Sequence, residues 1–367
     1  MNKMVINNLL YRPIRSLISV LAVGFEVLLI LLIVGLSLGM LNDSKNRQAG
    51  IGADVIVRPP GSSAMVGLSG APVSIKLADI LRKQPHVTAV TPIVTQLASN
   101  SALEVIYGID LESFNAVSGG FRFVEGTPFT GPNDIIVDDF FAASKQYHVG
   151  DTLELLNHKF TICGIVENGK GARKFLRIDR LQELNSSQGK ASVFYVKLDD
   201  SSFAQDVVVS MKKIDGMSDY TVISLKEWLS LLTPSNIPGL SIFINTVVGV
   251  SVCIGFIVIF QSMYTAVMER TREIGILKSM GASKAYIVRL ILSETVLLTV
   301  TGIVFGIVFS ITARYGLVQK FPTIRLIIDP GWVLKATVIA LIGSILGALY
   351  PAYRAAQKDP IDALAYE

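Results

Sequence analysis

The chain has 367 residues, 51% of them hydrophobic and only 17% charged, with a net charge of +4. Soluble domains are charged at about a quarter of their positions. Together with a mean hydropathy of +0.52, this composition excludes an ordinary soluble domain and points to a membrane protein with a sizeable water-facing part. The small positive balance fits the basic flanks of membrane spans better than a nucleic-acid surface. Two cysteines, Cys163 in a polar region and Cys253 in an apolar one, make no disulfide framework and read as packing residues.

Residues 1–42 carry Lys3, Arg12 and Arg15 and then the first apolar run, 16–41. A span needs about 20 apolar residues, so this run can cross a bilayer. It is too long for a signal peptide and no small-x-small cleavage site follows it, so it reads as an uncleaved anchor. Glu26 alone interrupts it. An ionisable group inside a span faces a wet cavity or another helix. Two readings stay open: a cavity or relay residue, and a helix-to-helix hydrogen bond.

Residues 43–239 form the large water-facing insert and read as mixed α and β. DVIVRPP at 54–60 predicts a strand and VSIKLADILRKQ at 73–84 a helix. HVTAVTPIVTQLA and LEVIYGID predict strands. The stretch from 133 to 169 predicts several short strands, with turns at 148–151 and 156–158. ASVFYVKL, SSFAQDVVVSMKKI and YTVISL then give strand, helix and strand. A strand–helix–strand start and finish can fold into one α+β layer, with the strand-rich middle as an inserted second lobe. GIVENGKG at 164–171 almost fits the phosphate-cradling G-x-x-x-x-G-K-[ST] loop, but Gly171 stands where the magnesium-binding hydroxyl belongs. It reads as a Gly-rich hairpin turn, so no ATP site is expected on this chain. His86, His148 and His158 lack metal-ligand spacing. No Ser-His-Asp, paired-carboxylate or Cys-His arrangement stands out, which leaves a membrane-anchored enzyme unsupported.

Three further spans are predicted at 240–267, 287–313 and 332–353, the second of these carrying Arg289 and Glu294 and the third Lys335. Between them lie a charged connector at 268–286 and a short loop at 314–331, and a tail at 354–367 ends the sequence. Pro234 and Pro238 punctuate the entry to the second span. Arg270, Arg272, Lys278 and Lys284 sit in the connector, Arg289 lies at the start of the span after it, and Arg354 and Lys358 follow the last span. With four spans these flanks share one side, which the positive-inside rule assigns to the cytoplasm. Both ends of the sequence are therefore expected there, and residues 43–239 outside. Trp228 and Trp332 fall near the outer interface, and Tyr350 and Tyr353 near the inner one. Glycine pairs four apart, Gly35/Gly39, Gly302/Gly306 and Gly343/Gly347, permit close helix approach. They suit packing within the chain as well as dimerisation.

The connector contains ERTREIGILKSMGAS at 269–283, with three basic and two acidic side chains between two apolar spans. Ile274, Leu277 and Met280 recur every third residue, on one side of a helix. Glu269 and Glu273 can pair locally with Arg270, Arg272 and Lys278, each pair adding a few tenths of a kcal/mol. Gly281 fits the residue that ends the helix and Ser283 the cap that starts the next. A short amphipathic helix follows, either a basic interfacial anchor or a docking helix for a cytoplasmic partner.

The stretch MERTREIGILKSMGASKAYIVRLILSETVLLTVTGIVFGIVFS, 268–310, closely resembles the signature region of the FtsX-like permease family, the MacB-type or type VII ABC transporters. The ending YPAYRAAQKDPIDALAYE resembles that family's ending at Pro351, Arg354, Ala355, Ala356, Pro360, Ala363 and Leu364. The layout agrees too: four transmembrane helices and a large extracytoplasmic α+β domain between helices one and two, which the resemblance makes a MacB-like periplasmic core.

The resemblance implies a permease subunit, not itself an enzyme, in a dimer bound to two ABC ATP-binding subunits. ATP and magnesium would be held by those partners, and this chain would need no cofactor. ATP-driven closure would move the first two spans and, through them, the outer domain, which is mechanotransmission. Glu269 to Gly281 would be the coupling segment. Arg272 and Glu273 would make polar contacts with the ATPase, Ile274, Gly275, Leu277 and Met280 would pack on it, and Glu269, Arg270 and Lys278 would complete the charged surface. MacB carries its ATP-binding domain on the same chain, whereas here a separate ATPase polypeptide is expected. Two outputs share these motifs. One is export or extraction of an amphipathic substrate; the other is a signalling module that regulates an outer partner such as a cell-wall hydrolase. A homodimer or heterodimer with a second permease subunit, a periplasmic adaptor, an outer-membrane channel and membrane lipids are the expected partners, and nucleic acid is not among them. The expected location is the bacterial inner membrane.

Overall fold

The computed structural model describes residues 13–62, 71–99 and 103–359. The described chain begins with α1 (Pro13–Ala49), followed by β1 (Val55–Arg58), β2 (Val73–Ser74), α2 (Leu77–Arg82), β3 (Val87–Ser99) and β4 (Leu103–Ile109). Next come α3 (Leu111–Ser118), β5 (Phe123–Gly126), β6 (Asp134–Asp138), α4 (Asp139–Lys145), β7 (Thr152–Leu155), β8 (His158–Val166) and β9 (Lys174–Arg177). Then follow α5 (Ile178–Leu184), β10 (Lys190–Ala191), β11 (Val193–Leu198), α6 (Ala204–Lys212), β12 (Thr221–Ser224) and α7 (Leu225–Leu231). Last are α8 (Leu240–Glu269), α9 (Thr271–Ser279), α10 (Lys284–Lys320) and α11 (Pro330–Gln357). The chain divides into two compact units, one of Met40–Pro238 with Lys320–Arg325, the other of the remaining residues.

The membrane unit contains helices long and apolar enough to cross a bilayer: α1, α8, α10 and α11. Two of them outlast the predicted spans by about two turns. α1 runs on through Asn42 and Asp43 to Ala49, and α10 through Arg314 to Lys320. The apolar run ends at Leu41 because composition changes there, but no glycine or proline interrupts the backbone until Gly50. Two of the glycine pairs are used inside the chain. A Cβ on Gly302 would stand 2.8 Å from Val23 Cβ, and one on Gly306 would stand 2.6 Å from the Gly24 carbonyl oxygen. These glycines let α10 lie directly on α1, while Gly347 admits the Phe256 carbonyl and brings α11 against α8.

The α+β unit is built on one hydrogen-bonded sheet, in the order β12-β1-β11-β3-β4-β9-β6-β8-β5, with β7 also on β8. The first strand lies between the last two, with Val55 opposite both Val196 and Ser224. The predicted start and finish thus fold together. The strand-rich middle, expected as a separate lobe, continues the same sheet. β3 makes this possible: Val87 to Ile93 pair with β11, and Ile93 to Ser99 pair with β4 on the other side. Alternation then serves different cores. Val55 and Val57 of β1 face the cluster under α2 and α6, and Ile56 faces the opposite one with Phe114, Tyr195 and Trp228. A third core under α4 and α5 holds Ile135, Val137, Phe160 and Leu181.

The Gly-rich stretch after β8 is not a hairpin turn. β6 lies between β8 and β9 in the sheet, parallel to one and antiparallel to the other. The loop therefore crosses the end of β6. The helix predicted at 73–84 is shorter than expected, since Val73 and Ser74 pair with β10 and α2 begins at Leu77.

Candidate functional site

The charged connector folds as α9, a helix of 9 residues joined to spans on both sides. Its end is set by Gly281, whose φ of +94° only glycine adopts readily. The Gly281 N–H donates to the Lys278 carbonyl and the Ala282 N–H to the Leu277 carbonyl, both at 3.0 Å. This double bond pattern closes the orphan carbonyls of the last turn. Two residues on, Ser283 Oγ accepts the Tyr286 N–H at 3.2 Å and starts α10. The predicted caps are both present, and only a few residues separate α9 from each neighbouring span.

The inner face of α9 is Thr271, Ile274 and Gly275, all buried. Ile274 joins a core with Met263, Val267, Ile287 and Ile291, and Leu277 packs partly buried against it. Met280, expected on this same side, is 72% exposed, and Ile276 is 44% exposed. The geometry of the helix explains the correction. Each step of three residues turns the side chain back by about 60°, so Met280 lies about 120° away from Ile274. Ile274 and Gly275 are thus committed to the chain's own core. The exposed face is Arg272, Glu273, Ile276, Ser279 and Met280.

The charges do not pair locally as expected. Three of the five each reach a different helix. Glu269 accepts from Arg15 of α1. Arg270 Nη1 donates to Glu294 Oε2 of α10 at 3.0 Å. Lys278 Nζ donates to the carbonyls of Ala356, at 3.0 Å, and Lys358, where α11 ends. α9 itself is tied to α11 through Lys278, while Arg270, which precedes it, reaches α10 and Glu269, the last residue of α8, reaches α1. The ties differ in strength. The Arg15 and Glu269 side chains are partly exposed, which makes their pair worth about 1 kcal/mol or less. Arg270 and Glu294 are 15% and 8% exposed, so losing either partner strands a buried charge. Arg270 is among the expected contact residues, whereas Glu294 and Ile276 carry no expected role. A separation of 24 positions between Arg270 and Glu294 is no spacing signal that would pair them.

The last helix supplies the second predicted group. Pro351, Ala355 and Ala356 are buried, together with Ala352, and Arg354 is exposed. Pro360, Ala363 and Leu364 lie outside the described residues. Glu26 is 5% exposed, and its Oε2 lies against Gly255 of α8, where any Cβ would overlap it. Its Oε1 has no hydrogen-bond partner among the described residues. The carboxyl thus sits in a helix-to-helix contact. About two turns earlier on α1, Ser19 Oγ and Ser262 Oγ meet across the same pair of helices at 2.6 Å.

Two family models match the chain. One, described as MacB-like periplasmic core domain, covers residues 16–214, and one described as FtsX-like permease C-terminal covers residues 245–360. A macrolide export ATP-binding/permease protein, MacB, of Shewanella sp. (strain W3-18-1) is 23% identical over 384 residues, which take in 96% of this chain and 58% of that protein. An ABC transporter permease, YvrN, of Bacillus subtilis (strain 168) is 23% identical over 399 residues, 96% of each chain. Among solved structures, the periplasmic region of MacB from Actinobacillus actinomycetemcomitans aligns with 49% of this chain and 92% of its own, at 17% identity and a TM-score of 0.37.

Proposed function

The chain belongs to the FtsX-like permease family with a MacB-like periplasmic core domain, a multi-pass inner-membrane protein, and from that premise we propose that it couples ATP hydrolysis on a separate ABC subunit to motion of its α+β domain. The observation that carries this reading is the mounting of α9. It is bonded to α11 through Lys278, and the two residues just before it, Glu269 and Arg270, hold α1 and α10, so a push on it reaches several spans together. Its outer face keeps an apolar pair one turn apart, Ile276 and Met280, beside Arg272 and Glu273. That mixture suits a groove on a protein partner, with apolar anchors inside a polar rim.

In this reading α9 faces the cytoplasm and the α+β domain lies outside, as the basic flanks imply. ATP-driven closure of two partner subunits moves α9. The spans follow, and α1 carries the motion on, because its helix continues unbroken to Ala49 inside the α+β unit. The match to the YvrN permease over nearly all of both chains supports an ATPase on its own polypeptide, and the MacB relatives support export of an amphipathic substrate. The chain works as one of two permease subunits. ATP and magnesium stay with the partner.

The test is co-purification. The tagged chain, extracted gently from its native membrane, is expected to bring down an ATP-binding subunit, and Met280→Asp is expected to lose it while retaining membrane insertion. Unchanged co-purification with Ile276→Asp and Met280→Asp combined would remove α9 as the docking element.

A further inference from the structure

The Gly-rich loop that mimics a phosphate site has another occupant. It wraps the end of α1. The Gly171 N–H donates to the Arg47 carbonyl at 2.8 Å, and Arg47 Nη1 donates to the Gly171 carbonyl at 3.2 Å. Gly50 is pressed against the Gly169 carbonyl so closely that a Cβ there would overlap it. Lys170, the lysine of the mimic, spends its ammonium on the Ser118 carbonyl. The other side of the helix end is also held: Gln48 Nε2 donates to Tyr107 Oη at 3.0 Å, and Tyr195 Oη donates to Gln48 Oε1 at 2.8 Å.

At the edge of this socket Arg173 gathers three segments. Nη1 donates to Asp138 Oδ2 at 3.0 Å, and Nη2 donates to Asp43 Oδ2 at 2.9 Å and to the Thr323 carbonyl at 3.4 Å. Asp138 caps α4, and Asp43 belongs to α1. Thr323 belongs to the stretch after α10. Asp43 also pairs with Arg47 at 3.1 Å and Arg325 at 3.8 Å. Arg325 lies over the Phe140 ring, 4.2 Å from its centroid. All of these residues lie in the same compact unit. A guanidinium presents a planar fork of donors and can hold two carboxylates at once, which an ammonium cannot do in fixed geometry.

Resting on the function proposed above, we propose that Arg173 is a positioning residue for the coupled motion: it fastens the end of α1 and the stretch after α10 to the loop between β8 and β9, so that the α+β domain is moved through this knot. The glycines at 169 and 171 are there for the helix end, and not for a phosphate.

The experiment is hydrogen exchange on the whole chain with its co-purified ATP-binding subunit in nanodiscs, with and without magnesium, ATP and vanadate. In the wild-type complex, nucleotide is expected to change exchange both in peptides of α9 and in peptides of β6 to β9. In Arg173→Ala the α9 response is expected to persist while the β6 to β9 response falls at least fivefold. Asp43→Asn, which keeps size and folding while removing one charge from the knot, is expected to do the same. The pair Asp43→Cys and Arg173→Cys, in a chain without its two native cysteines, is expected to recover the response once bridged by a short bismaleimide. Merely structural damage would not be repaired by a bridge. A wild-type response at β6 to β9 in both Arg173→Ala and Asp43→Asn overturns the proposal and leaves the functional reading standing. No nucleotide response at α9 in the wild-type complex overturns the functional reading and the proposal with it.

Discussion

Arg270, between α8 and α9, donates to Glu294 of α10 at 3.0 Å, with both side chains largely withdrawn from water. A buried pair of this kind adds little over apolar replacements but is costly to halve. Arg270→Ala and Glu294→Ala are each expected to destabilise the chain by about 3–5 kcal/mol. Arg270→Met with Glu294→Leu is expected to cost much less than the two alanine losses summed. Thermal unfolding in detergent of the two alanine variants, their double alanine variant and the Met/Leu pair measures it, the alanine set forming a double-mutant cycle. Additive losses would mean that the two side chains act separately.

The two faces of α9 are expected to respond differently to the same substitution. Ile274→Asp places a charge in the helix core and is expected to lower the thermal midpoint sharply. Ile276→Asp changes an exposed position and is expected to leave the midpoint within the range of ordinary surface changes, about 0.5 kcal/mol, while weakening ATPase binding. Measuring unfolding and co-purification on the same preparations separates the two. If Ile274→Asp were the tolerated change, the inner and outer faces would have to be exchanged.

Glu26 and Gly255 form a size-matched contact. Gly255→Ala puts a methyl group where Glu26 Oε2 now lies, and overpacking of that kind costs about 1–3 kcal/mol. Glu26→Ala in the Gly255→Ala background is expected to recover most of it, since the obstructing carboxyl is gone. Thermal midpoints of the two single variants and the double variant decide it. A double variant no better than Gly255→Ala would show that the carboxyl is not what the methyl group meets.

Asp138 gives a pH dependence. Burial pushes its carboxyl up to about 6, against the pull of Arg173, the Phe141 N–H and Arg47, with Asp139 adding to the rise. Unfolded, an aspartate titrates near about 4. The folded state therefore takes up this proton first, so the group's contribution to stability grows as pH falls from about 6 toward 4 and is lost as pH rises through 6. The gap of about two pH units sets the scale at about 3 kcal/mol. Wild-type stability relative to Asp138→Asn is expected to rise when the pH is lowered from 7 to 5. The reverse slope would mean that Arg173 outweighs burial.

The four spans were legible because apolar runs survive any packing arrangement. The caps at Gly281 and Ser283 were legible because their chemistry is local. Helix α4 was not: DFFAASK carries two phenylalanines straight after its first residue, and what starts it is Asp138 accepting the Phe141 N–H at 2.7 Å, a cap hidden inside an apparent strand. The sheet order was not legible either, because the half-and-half pairing of β3 depends on partners far along the chain. The site divides in the same way. A step of three residues predicted one apolar face for α9, but burial follows the full helical turn and sends Met280 outward. The charges were read as local pairs because only neighbours are visible in sequence. Arg15, Glu294 and the carbonyl of Ala356 are remote in sequence and became partners only through packing.

The most direct measurement is the intact mass of the complex released from its native membrane. Two permease subunits with two ATP-binding subunits are predicted, with binding lost in Met280→Asp. A stable complex that contains this chain and no ATP-binding subunit would contradict the account and reduce α9 to a membrane-surface anchor.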